Sequence, residues 1–432
     1  MNNHDFTLTP RDLLFMHDAR PMEASDAGLG ANWPRPDQLW NALINMMHRQ
    51  WPQPQPWEGD THTYREEVDN HEDSSFRFGA LQTVGPFPMK NEKGKTTVYF
   101  PCPLDLSADN DGNLLPMELV SADGTDMPAP LKYAFQAPVL GKQQPPPWLS
   151  LEDYHKYLNG EIIHAPKIES LYKPERNIGI AINPETKSTI DGRLYQAEYL
   201  RLMPAVSMAF SASCVIKAKN LNGQMTDVFG KLMEEGTPLD TIIGGQQGVA
   251  RLNVLKDGLE LPTAQIKPEM LKVRWTLLTP LVSTVGSRRR SPSSPEQVAQ
   301  HRGGWLPSWI SPEDGQVMLK AAESKPERHH GESRDHWRKR CQENAPAINA
   351  RLVASRVGKP VAFSGWDLNA GQETSAGTPK KTLLAVPAGS CYVFECKSTE
   401  DVVNLWKVLD GKRLSSVYGE KGFGFGVCSS YK

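Results

Sequence analysis

Three glycines alternate with bulky residues in Lys421-Gly422-Phe423-Gly424-Phe425-Gly426-Val427, and this stretch restricts the fold more tightly than any other. A period of two predicts an extended segment with Phe and Val on one face and a bare opposite face. Interior glycine weakens a strand, so a run of three implies close approach by another backbone. A dinucleotide-binding turn is set aside, because its glycines must open a helix and only residues 428–432 follow here. Two readings remain. One is a side-chain-free ledge for a ligand backbone, and the other is a Gly-rich closing strand packed against a helix.

The length of 432 residues suits two or three domains, each with its own core. A formal charge of −2 gives no global basic field that would announce nucleic acid. The 35 prolines imply long surface loops and insertions. Cysteines stand at 102, 214, 341, 391, 396 and 428 without a CxxC pair, which suits reduced thiols and neither a disulfide framework nor a zinc site. Residues 1–5 are polar and lack the apolar run of a secretory leader. The most apolar stretch, 202–216, is broken by Pro204 and serines, so it cannot span a bilayer. A soluble cytoplasmic protein without a membrane partner is expected. His62, His71, Asp60, Asp69 and Asp73 cluster in sequence, but an exposed polar insertion explains them better than a metal site does. No metal and no cofactor are expected.

Residues 6–16 alternate well enough for a first strand, and a loop at 27–36 contains Trp33 and Arg35. Asp37 can cap a helix whose apolar face is Leu39, Trp40, Leu43, Ile44 and Met47. An insertion spans 51–75, and two strands at 76–100 surround a turn at 91–94. Residues 101–150 read as a long irregular insertion, followed by a short helix at 151–158 capped by Ser150. The clearest hairpin lies at 176–202, with Lys187, Thr189 and Arg193 near its tip. It is either a disordered turn or an arm that reaches a partner. A core strand is expected at 205–216 and a helix at 232–243, ended by Gly244 and Gly245. Three glycines and Arg251 fall within residues 244–251.

A boundary at 262–268 separates an N-terminal domain, 1–265, from a C-terminal domain, 270–432. The second opens with a strand at 271–278 and carries a basic low-complexity loop within 287–302. Sixteen Lys and Arg against eight Asp and Glu between 271 and 360 show that the neutral total hides a basic stretch. Strands follow at 350–357, 361–366, 382–385 and 391–395, then a helix at 400–409. The order of elements gives an α+β fold class, a tandem of ferredoxin-like domains with long insertions and a long β-hairpin.

Several segments carry a family resemblance: 14–21 (LFMHDARP), 192–202 (GRLYQAEYLRL), 244–251 (GGQQGVAR), 278–280 (LTP), 303–307 (GGWLP), 364–367 (SGWD), 385–390 (AVPAGS) and 422–426 (GFGFG). Taken in order over residues 6–427, they resemble the Cmr subunit-three family of type III-B CRISPR effector complexes, Cas-five-like members of the RAMP superfamily. The chain departs from that family at 16–21. His17 replaces a permanent cation and Ala19 a glycine, while Arg20 keeps its place. The resemblance implies two RAMP domains without catalytic activity, holding the repeat-derived 5′ handle of the crRNA. It also implies two protein partners, the large polymerase-like subunit and a backbone RAMP subunit, in antiviral defence. The hairpin at 176–202 would wedge the guide near the handle boundary.

Single-stranded RNA is held by cations along its backbone, by flat side chains under its bases and by exposed amides. The candidate RNA-binding residues are His17, Arg20, Trp33, Arg35, Lys187, Arg193, Gly244, Gly245, Arg251, Lys421, Gly422, Gly424 and Gly426. Phe423 and Phe425 share a face and fit a core as readily as a stacking platform. Arg288, Arg289 and Arg290 suit a solvated loop or a nonspecific RNA contact. A metal-independent RAMP endoribonuclease is the alternative, with His17 as its acid or base. It lacks an evident second group, since His329, His330 and His336 lie in a polar, charged stretch. A purely protein-bridging subunit is the third reading.

Overall fold

The computed structural model describes the chain except residues 1–2, 17–26, 51–77, 79, 140, 168, 184, 218–224, 235, 237–238, 247, 286–298, 301–303, 322–328, 330, 334–335, 338–339, 341–344, 365, 368–377, 380–381 and 432. The fold is mixed α/β, with mostly antiparallel sheets and few helices.

The first sheet has seven strands in the spatial order Leu239–Ile242, Val249–Val254, His4–Pro10, Val206–Ser213, Gln82–Glu92, Lys95–Pro101 and Trp148–Ser150. All its pairings are antiparallel. Alternation along His4–Pro10 sends Phe6 and Leu8 into the core and Thr7 and Thr9 to the opposite face. The helix Pro36–Gln50 covers the inner face. Asp37 in its first turn and His48 and Arg49 in its last suit the helix dipole. Leu39, Trp40, Leu43, Ile44 and Met47 are buried as their spacing requires. Each fully buried aliphatic chain of this kind stabilises by about 1.5–3 kcal/mol relative to exposure.

The second sheet orders Ala350–Arg356, Cys391–Cys396, Lys272–Leu277, Phe425–Tyr431 and Lys412–Arg413. The helix Thr399–Leu409, capped by Ser398, packs Val402, Leu405 and Leu409 against it. Its core is aromatic, with Trp275 edge-on to Trp309 at 5.7 Å and Trp309 stacked on Phe394 at 5.9 Å.

A third core joins the two sheets. Phe87, Phe100, Tyr154 and Tyr157 pack with Leu278, Phe425 and Val427 from the other half. Residues 101–150 supply much of this seam and are not merely irregular. Leu106–Ala108 pairs with Leu114–Pro116, and Glu118–Ser121 with Tyr133–Gln136. Asp105 is fully buried and takes Arg274 Nη1 at 3.0 Å. The same guanidinium donates to Tyr157 O and Ser429 Oγ, both at 2.9 Å, and lies 3.9 Å from the Tyr157 ring.

The helix at 151–158 forms as read, with Ser150 Oγ accepting from Asp153 N. The helix expected at 232–243 does not. A helix spans Val228–Glu234, and Leu239–Ile242 is the edge strand of the first sheet. The β-branched run Thr241, Ile242, Ile243 favours the extended form, and pairing with Val249–Val254 realises it.

Candidate nucleic-acid interface

One arm stands out from the first sheet. Tyr172–Ile182 and Thr189–Leu202 pair from Tyr172 opposite Leu202 to Ile182 opposite Thr189. The tip is a formed turn: Asn183 Oδ1 accepts from Glu185 N at 2.9 Å, and Lys187 N donates to Asn183 O at 2.8 Å. Lys187 is exposed there, and the side chain of Arg193 lies outside the described residues. Ile178 and Ile180 share a face by period two, Ile182 follows beyond an irregularity in the pairing, and the three are 69%, 48% and 58% exposed. Large apolar side chains held in water along one arm suit a contact surface.

The arm's root is tied down. Ala27–Gly30 pairs in parallel with Gln196 to Tyr199 on the returning strand. Leu14 and Leu200 exchange two backbone hydrogen bonds, at 2.9 and 2.7 Å. The turn after the edge strand meets the same place, where Gly245 N donates to Phe15 O at 2.8 Å and Tyr199 Oη donates to Gln246 Oε1. A β-carbon at Gly244 would lie 2.7 Å from Phe15 O, so glycine permits this close approach. Residues 14–16 are thus held between arm and turn, and the chain continues into 17–26. His17 and Arg20 fall in that segment, outside the described residues.

Arg251 leaves the outer face of the neighbouring strand, opposite Thr9 and Asp240. Its Nε donates to Asp240 Oδ1 at 3.0 Å, while Arg11 Nη2 donates to Oδ2 at 2.9 Å. These guanidiniums, Arg251 first, hold the Asp240 carboxyl below its ordinary range. The sequence reading missed Arg11 and Asp240, because only the strand pairing brings them to Arg251.

The expected glycine ledge is corrected. Residues 421–424 form turns, and the strand begins at Phe425. Gly422 and Gly424 have φ of +96° and +70°, a left-handed backbone that breaks the period-two pattern. All three glycines are buried. A β-carbon on Gly422 would sit 2.8 Å from Thr83 O, one on Gly424 would overlap Ser415 N, and one on Gly426 would overlap the Trp275 indole. Another backbone does approach, but it is the protein's own. Phe423 and Phe425 are buried in different clusters. Lys421 is buried too, its Nζ 4.6 Å from the Trp40 ring centroid and 4.5 Å from that of Tyr418. Gly422 and Lys421 therefore lie against Thr83 and Trp40 of the first half, Gly424 and Gly426 are packed within their own half, and none of the four presents an open groove.

Trp33 and Arg35 are likewise engaged within the chain. Trp33 Nε1 donates to Pro86 O at 2.9 Å, and its ring lies 5.5 Å from both Trp148 and Tyr172. Arg35 makes a forked pair with Asp37 at 3.0 and 3.2 Å, with only 13% of its side chain exposed. Among the described residues, no group of three His, Cys, Asp or Glu could hold a metal ion. The five described cysteines are free and buried, and burial pushes the Cys214 and Cys396 thiols up to about 12.

A family model described as CRISPR-associated protein (Cas_Cmr3) matches residues 6–429. No curated protein matches the chain. A chain of the cryo-EM structure of type III-B Cmr-beta bound to cognate target RNA and AMPPnP, state 1, is similar at 12% identity. That likeness covers 90% of this chain and 86% of that one, with a TM-score of 0.40. A chain of type III-B Cmr-beta bound to cognate target RNA is similar at 11% identity over the same shares, with a TM-score of 0.38. A chain of the apo state is 12% identical over 59% of this chain and 98% of that one, with a TM-score of 0.28.

Proposed function

The chain belongs to the Cas_Cmr3 family of CRISPR-associated proteins, and from that premise we propose that it is a non-catalytic, RNA-binding subunit of a type III-B effector. In this reading it holds the crRNA 5′ handle and bridges the large polymerase-like subunit to a backbone RAMP subunit in the cytoplasm. The observation that carries the reading is the extent of the family match, which spans both sheets and the arm. The shared strand order supports treating the halves as tandem ferredoxin-like units. In each sheet the earliest strand lies inside, between the strand that closes the unit and the strand that precedes the closing helix.

RNA approaches the root of the arm. There the exposed turn at Gly244 and Gly245 meets Phe15, and Arg251 stands on the same edge hairpin, while Lys187 and Arg193 belong to the arm. His17 and Arg20 are kept as contacts on the resemblance alone. Lys421 and the three glycines near it are left out of the contact set, because the protein itself fills their surroundings. Among the described residues no helix is long and apolar enough to cross a membrane.

The test is an electrophoretic shift of handle RNA with the purified chain, alone and with the large subunit, in chelator. Retention of intact RNA is expected, weakened by Arg20→Ala and Arg251→Ala together. Cleavage of repeat RNA that disappears in His17→Ala would replace this reading with an endoribonuclease. Unchanged retention in the double variant would leave a protein-bridging role.

A further inference from the structure

We propose that Arg11 and Arg251 form a phosphate site for single-stranded RNA, and that the Asp240 carboxylate between them is the resident anion which the RNA displaces. The inference rests on the RNA-binding reading above and assigns two residues that reading did not use.

Both guanidiniums converge on one carboxylate. Arg11 Nη2 lies 2.9 Å from Asp240 Oδ2, and Arg251 Nε and Nη2 lie 3.0 and 3.3 Å from Oδ1 and Oδ2. A guanidinium fork fits carboxylate and phosphate oxygens alike, so the pair already has the geometry of an anion cradle. The cradle is pre-formed by backbone. Asp240 and Arg251 are paired across two strands, and Arg11 N donates to Val249 O at 2.9 Å. It is also open: the side chains of Arg11, Arg251 and Asp240 are 59%, 49% and 32% exposed.

The charges leave one cation in excess. Two arginines face one carboxylate, and the nearby Asp12 is turned to Arg201, which Glu175 already pairs. Exposed ion pairs of this kind hold weakly, so a polyanion can compete with a single carboxylate. The surrounding face suits a sugar–phosphate chain. Thr9, opposite Arg251, and Asn253 are polar and exposed on the side of the sheet away from the helix Pro36–Gln50.

The competing account is a plain surface ion triplet that staples the edge strand Leu239–Ile242 to the first strand. Fluorescence anisotropy of a handle-length single-stranded RNA with the full chain separates the two, titrated from about 50 to about 200 mM salt. Asp240→Asn is expected to bind about threefold to tenfold tighter, because both forks are released to phosphate. Arg11→Gln and Arg251→Gln are each expected to bind several-fold more weakly and to lower the log–log salt slope by about 0.7 per lost phosphate. The arginine variants probe the same cradle without touching the carboxylate, so a loosened edge strand in Asp240→Asn would not leave the matter open. Wild-type binding with no change in any of the three variants overturns this site and leaves the proposed function standing. Absence of RNA binding by the wild-type chain overturns both.

Discussion

Gly424 combines a left-handed backbone, φ +70°, with a neighbour where its β-carbon would stand. A branched side chain there must both strain the backbone and push against the Ser415 amide and Leu281. Each effect is worth about 1–3 kcal/mol. Gly424→Val is therefore expected to destabilise the fold by about 2–6 kcal/mol, read as a lower denaturation midpoint. Any loss of RNA binding would follow from unfolding. An unchanged midpoint would restore the idea of an open ledge. The alternating letters misled because period two sorts side chains onto faces only while the backbone stays extended. Glycine is the residue that need not stay extended, so the same composition encodes a strand or two tight turns. Trp33 and Arg35, offered as RNA contacts by the sequence, turn out to have partners within the chain. A sequence shows that a Trp or Arg is available, but its partners, here Pro86 and Asp37, decide whether it is free.

Among the elements, the arm combines a firm root with an unsupported shaft. Its isoleucine face touches too little of the chain to stabilise it, so Ile180→Asp is expected to change stability by no more than about 0.5 kcal/mol. The same change should weaken assembly with the partner that covers the face, seen as loss of co-purification with the backbone subunit or the guide. A large drop in stability without any effect on assembly would contradict that view. The hairpin, the helix Leu151–Leu158 with its Ser150 cap and the helix Thr399–Leu409 were legible because each carries a local signal over eight or more residues. The pairs within 101–150 were not legible. Strands of three or four residues are too short to show a period, and long-range contacts with the other half hold them.

At the scale of the whole molecule, the seam makes the halves one body. Arg274 is 2% exposed and depends on Asp105, Tyr157 and Ser429 for every polar contact described for its guanidinium. Removing one partner of a buried pair leaves the other charge stranded, at a cost of about 3–5 kcal/mol. Asp105→Ala is expected to lower stability by about that amount, and both sheets should melt together in one transition. Separate melting of the halves, or a change below about 1 kcal/mol, would show that the seam is incidental. Arg274 and Asp105 gave no sign of this role in sequence, where 169 positions separate them.

The pairing of His4–Pro10 also sets a timetable for synthesis. Its two neighbours, Val206–Ser213 and Val249–Val254, follow about 200 and about 240 residues later in synthesis. The nascent N-terminal strand must wait, apolar and unsheltered, until they emerge. Closing so long a loop is slow, so the unpaired apolar face of this strand is where a chaperone is expected to bind a newborn chain.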